Sequence, residues 1–270
     1  MPEPQRTASG VRYAYRDGDA AAERLAAVNE LFEPPYRSLI EAAHPGTVDL
    51  AIDVGCGPGF TTRLLSAVLK PRSLAGLDIS AHFIKQARAS GPPDIAWYVH
   101  DVTQVPFPTG PADLIHSRWV LAHLANPETV LVSWLSQLRP RGRLLIQEDE
   151  QIDAEHPVLA AYQAMSTSLV VHHGGDLYVA RRIDRLQIPP GYRTTLNRLY
   201  PHNVPAPAAA RIFAMNFAIW RDDPWITENH TTRELDAMAS DLDRIATSTE
   251  HSEVVFTLHQ FAFAHVTAPE

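Results

Sequence analysis

The chain has 270 residues, with 23 Lys and Arg against 31 Asp and Glu, for a formal net charge of -8. That length buries a full core, as one large domain or a domain with a cap, and an acidic balance without a basic face excludes a nucleic-acid clamp, whose affinity comes from neutralised phosphates. Apolar content of 45% is that of a soluble globule; no run nears the roughly 18 apolar residues of a membrane span, and Met1 to Arg6 lacks the apolar stretch of a signal peptide, so a cytoplasmic protein is expected.

Leu25, Val28, Leu31 and Phe32 recur at helical spacing and predict a helix from about residue 20. Pro34 and Pro35 are expected to stop it, with a second short helix over 36–43. An apolar β run over 48–54 then ends on Asp53-Val54, followed by Gly55, Cys56, Gly57, Pro58 and Gly59. Thr61, Thr62 and the amphipathic set Leu64, Leu65, Val68 and Leu69 open a helix. Strand, tight turn and helix follow in that order. Such a turn needs glycine because the backbone takes positive φ and lets a ligand approach where a Cβ would collide. Cys56, the single cysteine, reads as a small residue filling the turn.

Residues 74–78 form a second apolar run, ending in Asp78-Ile79, and residues 95–100 a third, leading to Asp101-Val102. Further strands are expected at 112–117 and 143–148, with helices between them. This alternation predicts an α/β fold with a doubly wound, mostly parallel sheet. The glycines are spaced G-x-G-x-G, whereas the dinucleotide fingerprint is G-x-G-x-x-G and needs glycine where Phe60 stands. A nicotinamide-dependent oxidoreductase is therefore disfavoured.

The motif Asp53-x-Gly55-x-Gly57-x-Gly59, with Asp78-Ile79 and Asp101-Val102 in register after it, resembles the class I S-adenosylmethionine-dependent methyltransferases. The resemblance implies a seven-stranded Rossmann-like sheet with a final antiparallel strand, and S-adenosyl-L-methionine as cofactor. It implies that Asp53, Gly55, Cys56, Gly57 and Gly59 pass under the methionine part. Asp78 with Ile79 would hold the ribose hydroxyls, and Asp101 with Val102 would reach the adenine. Residues just after the fourth strand line the methionine end in that family, which makes Ser117, Arg118 and Trp119 candidate neighbours of the reacting sulfur. Residues 1–46 would form a helical lid, with Tyr13, Tyr15 and Arg16 as contacts, and 47–270 the methyltransferase domain. Relatives usually carry Pro-Gly-Gly before the fifth strand; here Arg141 holds the first glycine position.

Beyond Glu148 the resemblance weakens. Helices are expected at 157–171 and 176–187, a sixth strand at 193–200, and a last strand over 256–266. The connection 204–250 reads as two helices, the second opened by the capping box Thr231-x-x-Glu234 and carrying Leu235, Met238, Leu242 and Ile245 on one stripe. Insertions at about 150–190 and 204–250 are expected to build a helical cap in which substrate identity is written.

A hydroxyl acceptor loses a proton on methylation, so a base within hydrogen-bond reach is expected. Glu148, His123 and His173, the last beside His172, are the candidates. Glu148, Asp149, His172 and His173 match no recognised metal spacing, and no metal is expected. There is no Asn-Pro-Pro-Tyr motif or cysteine pair to favour base or carbon methylation. The expected function is transfer of a methyl group to a small organic acceptor, at a hydroxyl oxygen, in specialised metabolism. The alternative is a protein that binds the cofactor without methylating, as a cyclase, isomerase or ligand carrier. The expected partner is a small-molecule acceptor, with no nucleic acid or membrane, in a monomer or homodimer.

Overall fold

The computed structural model describes residues 17–43 and 46–266. Helix α1 (Asp19–Ala43) precedes β1 (Leu50–Val54), α2 (Phe60–Leu69), β2 (Ser73–Asp78), α3 (Ala81–Ser90) and β3 (Ile95–Val99). Next come β4 (Ala112–Arg118), a 3₁₀ turn at Leu121–His123, α4 (Pro127–Leu135) and β5 (Leu138–Ala154). The chain continues through α5 (Pro157–His172), α6 (Ala180–Ile183), β6 (Tyr192–Pro205), α7 (Ala206–Trp220), α8 (Pro224–Asn229), α9 (Thr232–Ala246) and β7 (Glu253–His265).

The seven strands form one sheet in the order β3-β2-β1-β4-β5-β7-β6. β1 to β5 pair in parallel, and β7 runs antiparallel to both β5 and β6. The order reverses between β1 and β4, the point at which open α/β sheets bind ligands beyond the carboxyl ends of their strands. One face is covered by Tyr36, Leu39 and Ile40 of α1 with α2 and α3, and the other by α4 and α6 around Trp134. No helix among the described residues is long and apolar enough to cross a membrane.

Two departures from expectation shape the site. Pro34 and Pro35 do not end the first helix; both lie inside α1. An interior proline costs about 3 kcal/mol, in part by freeing the carbonyl four residues back. The carbonyl freed by Pro35 is that of Leu31, and His202 Nε2 of β6 meets it at 3.0 Å, while Gln260 Nε2 donates to the Pro35 carbonyl at 2.7 Å. The burial of Val28, Phe32, Tyr36, Leu39 and Ile40 along one stripe holds the rest.

The second departure is the length of β5. Pairing with β4 stops at Arg118↔Gln147, yet β5 continues to Ala154 because its antiparallel partner β7 runs alongside as far as Ala154↔Val254. The extension reaches roughly 20 Å past the end of β4. A separate core is built on it from Phe32 of α1, Tyr162 of α5, Phe213 and Phe217 of α7, Leu242 of α9 and Phe256 of β7. The helix expected over 176–187 shrinks to α6, since Asp176 accepts the Tyr178 N–H and the following turns close with i to i+3 bonds. The capping box at Thr231 and Glu234 forms as expected.

Candidate active site

The glycine turn leaves β1 with Gly55, Gly57 and Gly59 at φ of +69°, +54° and +84°. A Cβ at Gly55 would strike Val120 Cγ2, and one at Gly59 would strike the Trp97 ring, so packing as well as backbone sign demands glycine at both. The turn is fixed to the neighbouring strand by Gly55 and Cys56 N–H, which both donate to the Leu77 carbonyl at 2.8 and 3.1 Å. Burial, then the charges of Asp78 and Asp53, push the Cys56 thiol well above its ordinary range, so it stays protonated.

The three strand-end acids do different work. Asp53 is 1% exposed and accepts from the Thr61 and Thr62 hydroxyls at 2.7 and 2.6 Å and from His116 Nδ1 at 2.7 Å. It pins α2 and β4 beneath the turn and does not line the cleft, a correction to its expected place against the cofactor. Asp78 does line the cleft; its Oδ2 accepts the Gly57 N–H at 2.8 Å and its Oδ1 the Ser80 N–H at 2.8 Å. Burial raises its carboxyl to about 6 against those two bonds. Asp101 also lines the cleft and bonds the Thr103 N–H and hydroxyl through Oδ1.

Gly55, Cys56, Gly57, Ile79, Val102 and Arg118 line the same cleft. Gly59 stands back against Trp97. Ser117 is wholly buried, because alternation along β4 turns it to the opposite face from Arg118. Tyr15, with Tyr13 and Arg16, lies outside the described residues. Trp119, next after β4, has φ +55°. Such a conformation is costly for a bulky side chain, and it marks functional sites when its surroundings hold it. The Trp119 ring packs edge-on against Phe32 at 5.0 Å and under the Arg118 guanidinium at 4.8 Å.

Of the three expected bases only His123 reaches the cleft. Burial and the Arg24 charge push its imidazolium down to about 3, so it is a neutral ring at physiological pH. Glu148 does not line the cleft; its Oε1 accepts the Val120 and Leu121 N–H groups, each at 2.9 Å, and burial raises it to about 8. It is a neutral brace for the loop after β4. His173 sits at the end of α5 with Nε2 3.1 Å from Asp223 Oδ2, tying that helix to the N-cap of α8. Neither lines the cleft. Among the described residues no three His, Cys, Asp or Glu side chains gather as metal ligands.

Residues 52–146 match the family model described as a methyltransferase domain. The match runs from β1 into β5, the part of the sheet that carries the glycine turn. A trans-aconitate 2-methyltransferase of Methylobacterium radiotolerans is 32% identical over 173 residues, covering 64% of this chain and 60% of that protein. A 37.1 kDa protein of a Streptomyces fradiae transposon is 30% identical over 158 residues, covering 56% and 44%. The chain therefore spans less than two thirds of either relative. Among solved structures, Haemonchus contortus phosphoethanolamine N-methyltransferase 2, bound to S-adenosylhomocysteine, superposes with a TM-score of 0.56 at 15% identity, covering 90% of this chain and 57% of that one. The Haloferax volcanii partner of the Trm112 methyltransferase activator gives 0.58 at 17%, covering 96% and 100%. These likenesses are of fold.

The residues present fit S-adenosylmethionine, the cofactor that the methyltransferase-like domain implies. Each Asp78 oxygen spends one lone pair on a backbone N–H and keeps another for a ribose hydroxyl. Gly57 presents bare backbone, and the Leu25 side chain of α1 closes over it. Arg118 Nη1 is buried without a partner and suits a carboxylate. Beyond this cradle the cleft runs on between Phe32, Trp119, Tyr162, Phe213 and Phe256, and includes Asp149 of β5 and the Arg24–Asn216 bond at 2.6 Å. Sequence reasoning named Trp119 and missed the others as parts of the cleft. One signal was available for Asn216, the lone amide within the apolar stretch of α7; the other aromatic residues read simply as core.

Proposed function

We propose that this methyltransferase moves the methyl group of S-adenosylmethionine to the hydroxyl oxygen of a small, ring-bearing and largely apolar acceptor. Bound, the cofactor supplies a methyl group activated by a sulfonium sulfur. Asp78 and Asp101 would hold the nucleoside half, and the glycine turn and Arg118 the amino-acid half. The remaining volume would then be the acceptor chamber. The protein's contribution there is to place an oxygen and to keep water out, and positioning alone can supply a large share of the barrier reduction.

The observation that carries the acceptor class is the chamber wall. Phe32, Trp119, Tyr162, Phe213 and Phe256 surround it, Tyr162 stacking on Phe213 at 4.3 Å. The relatives named for trans-aconitate act on a tricarboxylate, which calls for several cations. Among the described residues, the cationic side chains lining the cleft are Arg24, bonded to Asn216, and Arg118, given above to the cofactor. A trianion would meet too little positive charge, whereas a flat ring would meet aromatic faces and edges.

The test is binding to protein saturated with S-adenosylhomocysteine. Calorimetry with bicyclic phenols and with trans-aconitate should give heat and saturation for the phenols alone. Binding of trans-aconitate alone would reverse the proposal.

A further inference from the structure

We propose that Asp149 is the base that takes the acceptor's proton, an inference that rests on the hydroxyl acceptor proposed above. Asp149 stands at the carboxyl end of β5, one residue past the brace Glu148, and turns to the opposite face of the sheet into the cleft. Asp149 is 6% exposed; the Trp119 indole N–H approaches its carboxyl, yet Oδ1 is buried with no hydrogen bond of full geometry. A buried acceptor atom left unsatisfied costs about 1 to 3 kcal/mol unless something donates to it. An acceptor hydroxyl in the chamber would be that donor.

The surroundings suit the task. Arg118 of β4 is the cation facing Asp149, and the Trp119 side chain lies against it; beyond Arg118 stand Tyr36 of α1 and Asp53 of β1. From β7, Leu258 is its register partner, while Glu148 and its own partner His259 lie on the other face. Burial raises the Asp149 carboxyl to about 7, with Trp119 and Arg118 pulling the other way. A base is most effective when its pKa lies near the working pH. His123, which also lines the cleft, is far too weak a base at about 3.

In the step itself the acceptor O–H bond breaks and its proton passes to Asp149 Oδ1. An oxygen electron pair forms the new bond to the methyl carbon, while the pair of the broken carbon–sulfur bond stays on sulfur. The sulfonium charge and the carboxylate charge disappear together.

The experiment compares wild type with Asp149→Asn by two readouts. Single-turnover methylation is followed over phenols of graded acidity, and binding of an unactivated phenol to the S-adenosylhomocysteine complex is followed against pH. Asp149→Asn should slow weakly acidic phenols by roughly 10² to 10⁴-fold, with the loss shrinking steadily toward nitrophenols. Wild-type phenol affinity should rise through about pH 7 as the carboxylate forms, and the variant's should be flat. Affinity for S-adenosylhomocysteine within about twofold of wild type shows that the variant is folded. Equal slowing of all phenols, unchanged rates, or a large loss of cofactor affinity each overturns the role of Asp149. If no phenol binds or gains a methyl group, the acceptor class falls and Asp149 as its base falls with it.

Discussion

Asp78 Oδ2 accepts the Gly57 N–H at 2.8 Å, so the acid ending β2 and the middle glycine of the turn form one unit. Asp78→Ala should therefore weaken S-adenosylhomocysteine binding by about 1.5 to 3 kcal/mol, the scale of hydrogen bonds to a charged group. Because burial raises this carboxyl to about 6, protonation below that pH removes an acceptor for the ribose, and wild-type affinity should fall as pH drops through it. Calorimetry across pH checks both. A pH-independent affinity equal in the two proteins would remove Asp78 from the site.

Gly59 has φ +84° and its missing Cβ points into the Trp97 ring. Gly59→Ala should cost about 2 to 4 kcal/mol of stability, from left-handed strain and overpacking together. Adding Trp97→Phe should recover the packing share and leave the strain, a coupling that denaturant melts of the double-mutant cycle would measure.

Glu148 is a structural acid whose pH signature follows from its burial. Its folded value of about 8 lies above that of an unfolded glutamate, near 4.3. The folded chain therefore keeps a proton that the unfolded chain has released. This contribution to stability is fully present below the unfolded value and is lost as pH rises through the folded one. Glu148→Gln keeps an acceptor for the Val120 and Leu121 N–H groups and should flatten much of that decline between about pH 5 and about pH 9. Glu148→Ala should lose about 1 to 3 kcal/mol at any pH by orphaning both donors. Thermal melts of the three proteins decide this.

Phe213 stacks on Tyr162 in the chamber wall. Phe213→Leu should raise the acceptor KM by about two- to tenfold, the worth of one aromatic contact, while the affinity for S-adenosylhomocysteine stays unchanged. Loss of cofactor affinity instead would move Phe213 to the other end of the cleft.

The turn and the acids Asp78 and Asp101 were legible because glycine spacing and strand ends are local features. Which acid at the end of β5 faces the cleft was not legible. Glu148, Asp149 and Glu150 all leave the sheet at its ligand edge, and the choice rests on the Arg118↔Gln147 register with a strand some thirty residues earlier. Pro34 and Pro35 misled for a similar reason: the partner of the Leu31 carbonyl, His202, is 171 residues away in sequence. His173 carried the look of a cap-loop base, and its tie to Asp223 likewise depends on how α5 and α8 meet.

The most direct measurement is incubation of the protein with S-adenosylmethionine labelled in its methyl group and a panel of phenols, followed by mass spectrometry of the products. The account predicts a labelled methyl ether of a ring-bearing hydroxyl compound, with S-adenosylhomocysteine formed in equal amount. An acceptor converted without gaining the label, while the cofactor remains intact, would contradict methyl transfer and point to a fold that holds its cofactor for another reaction.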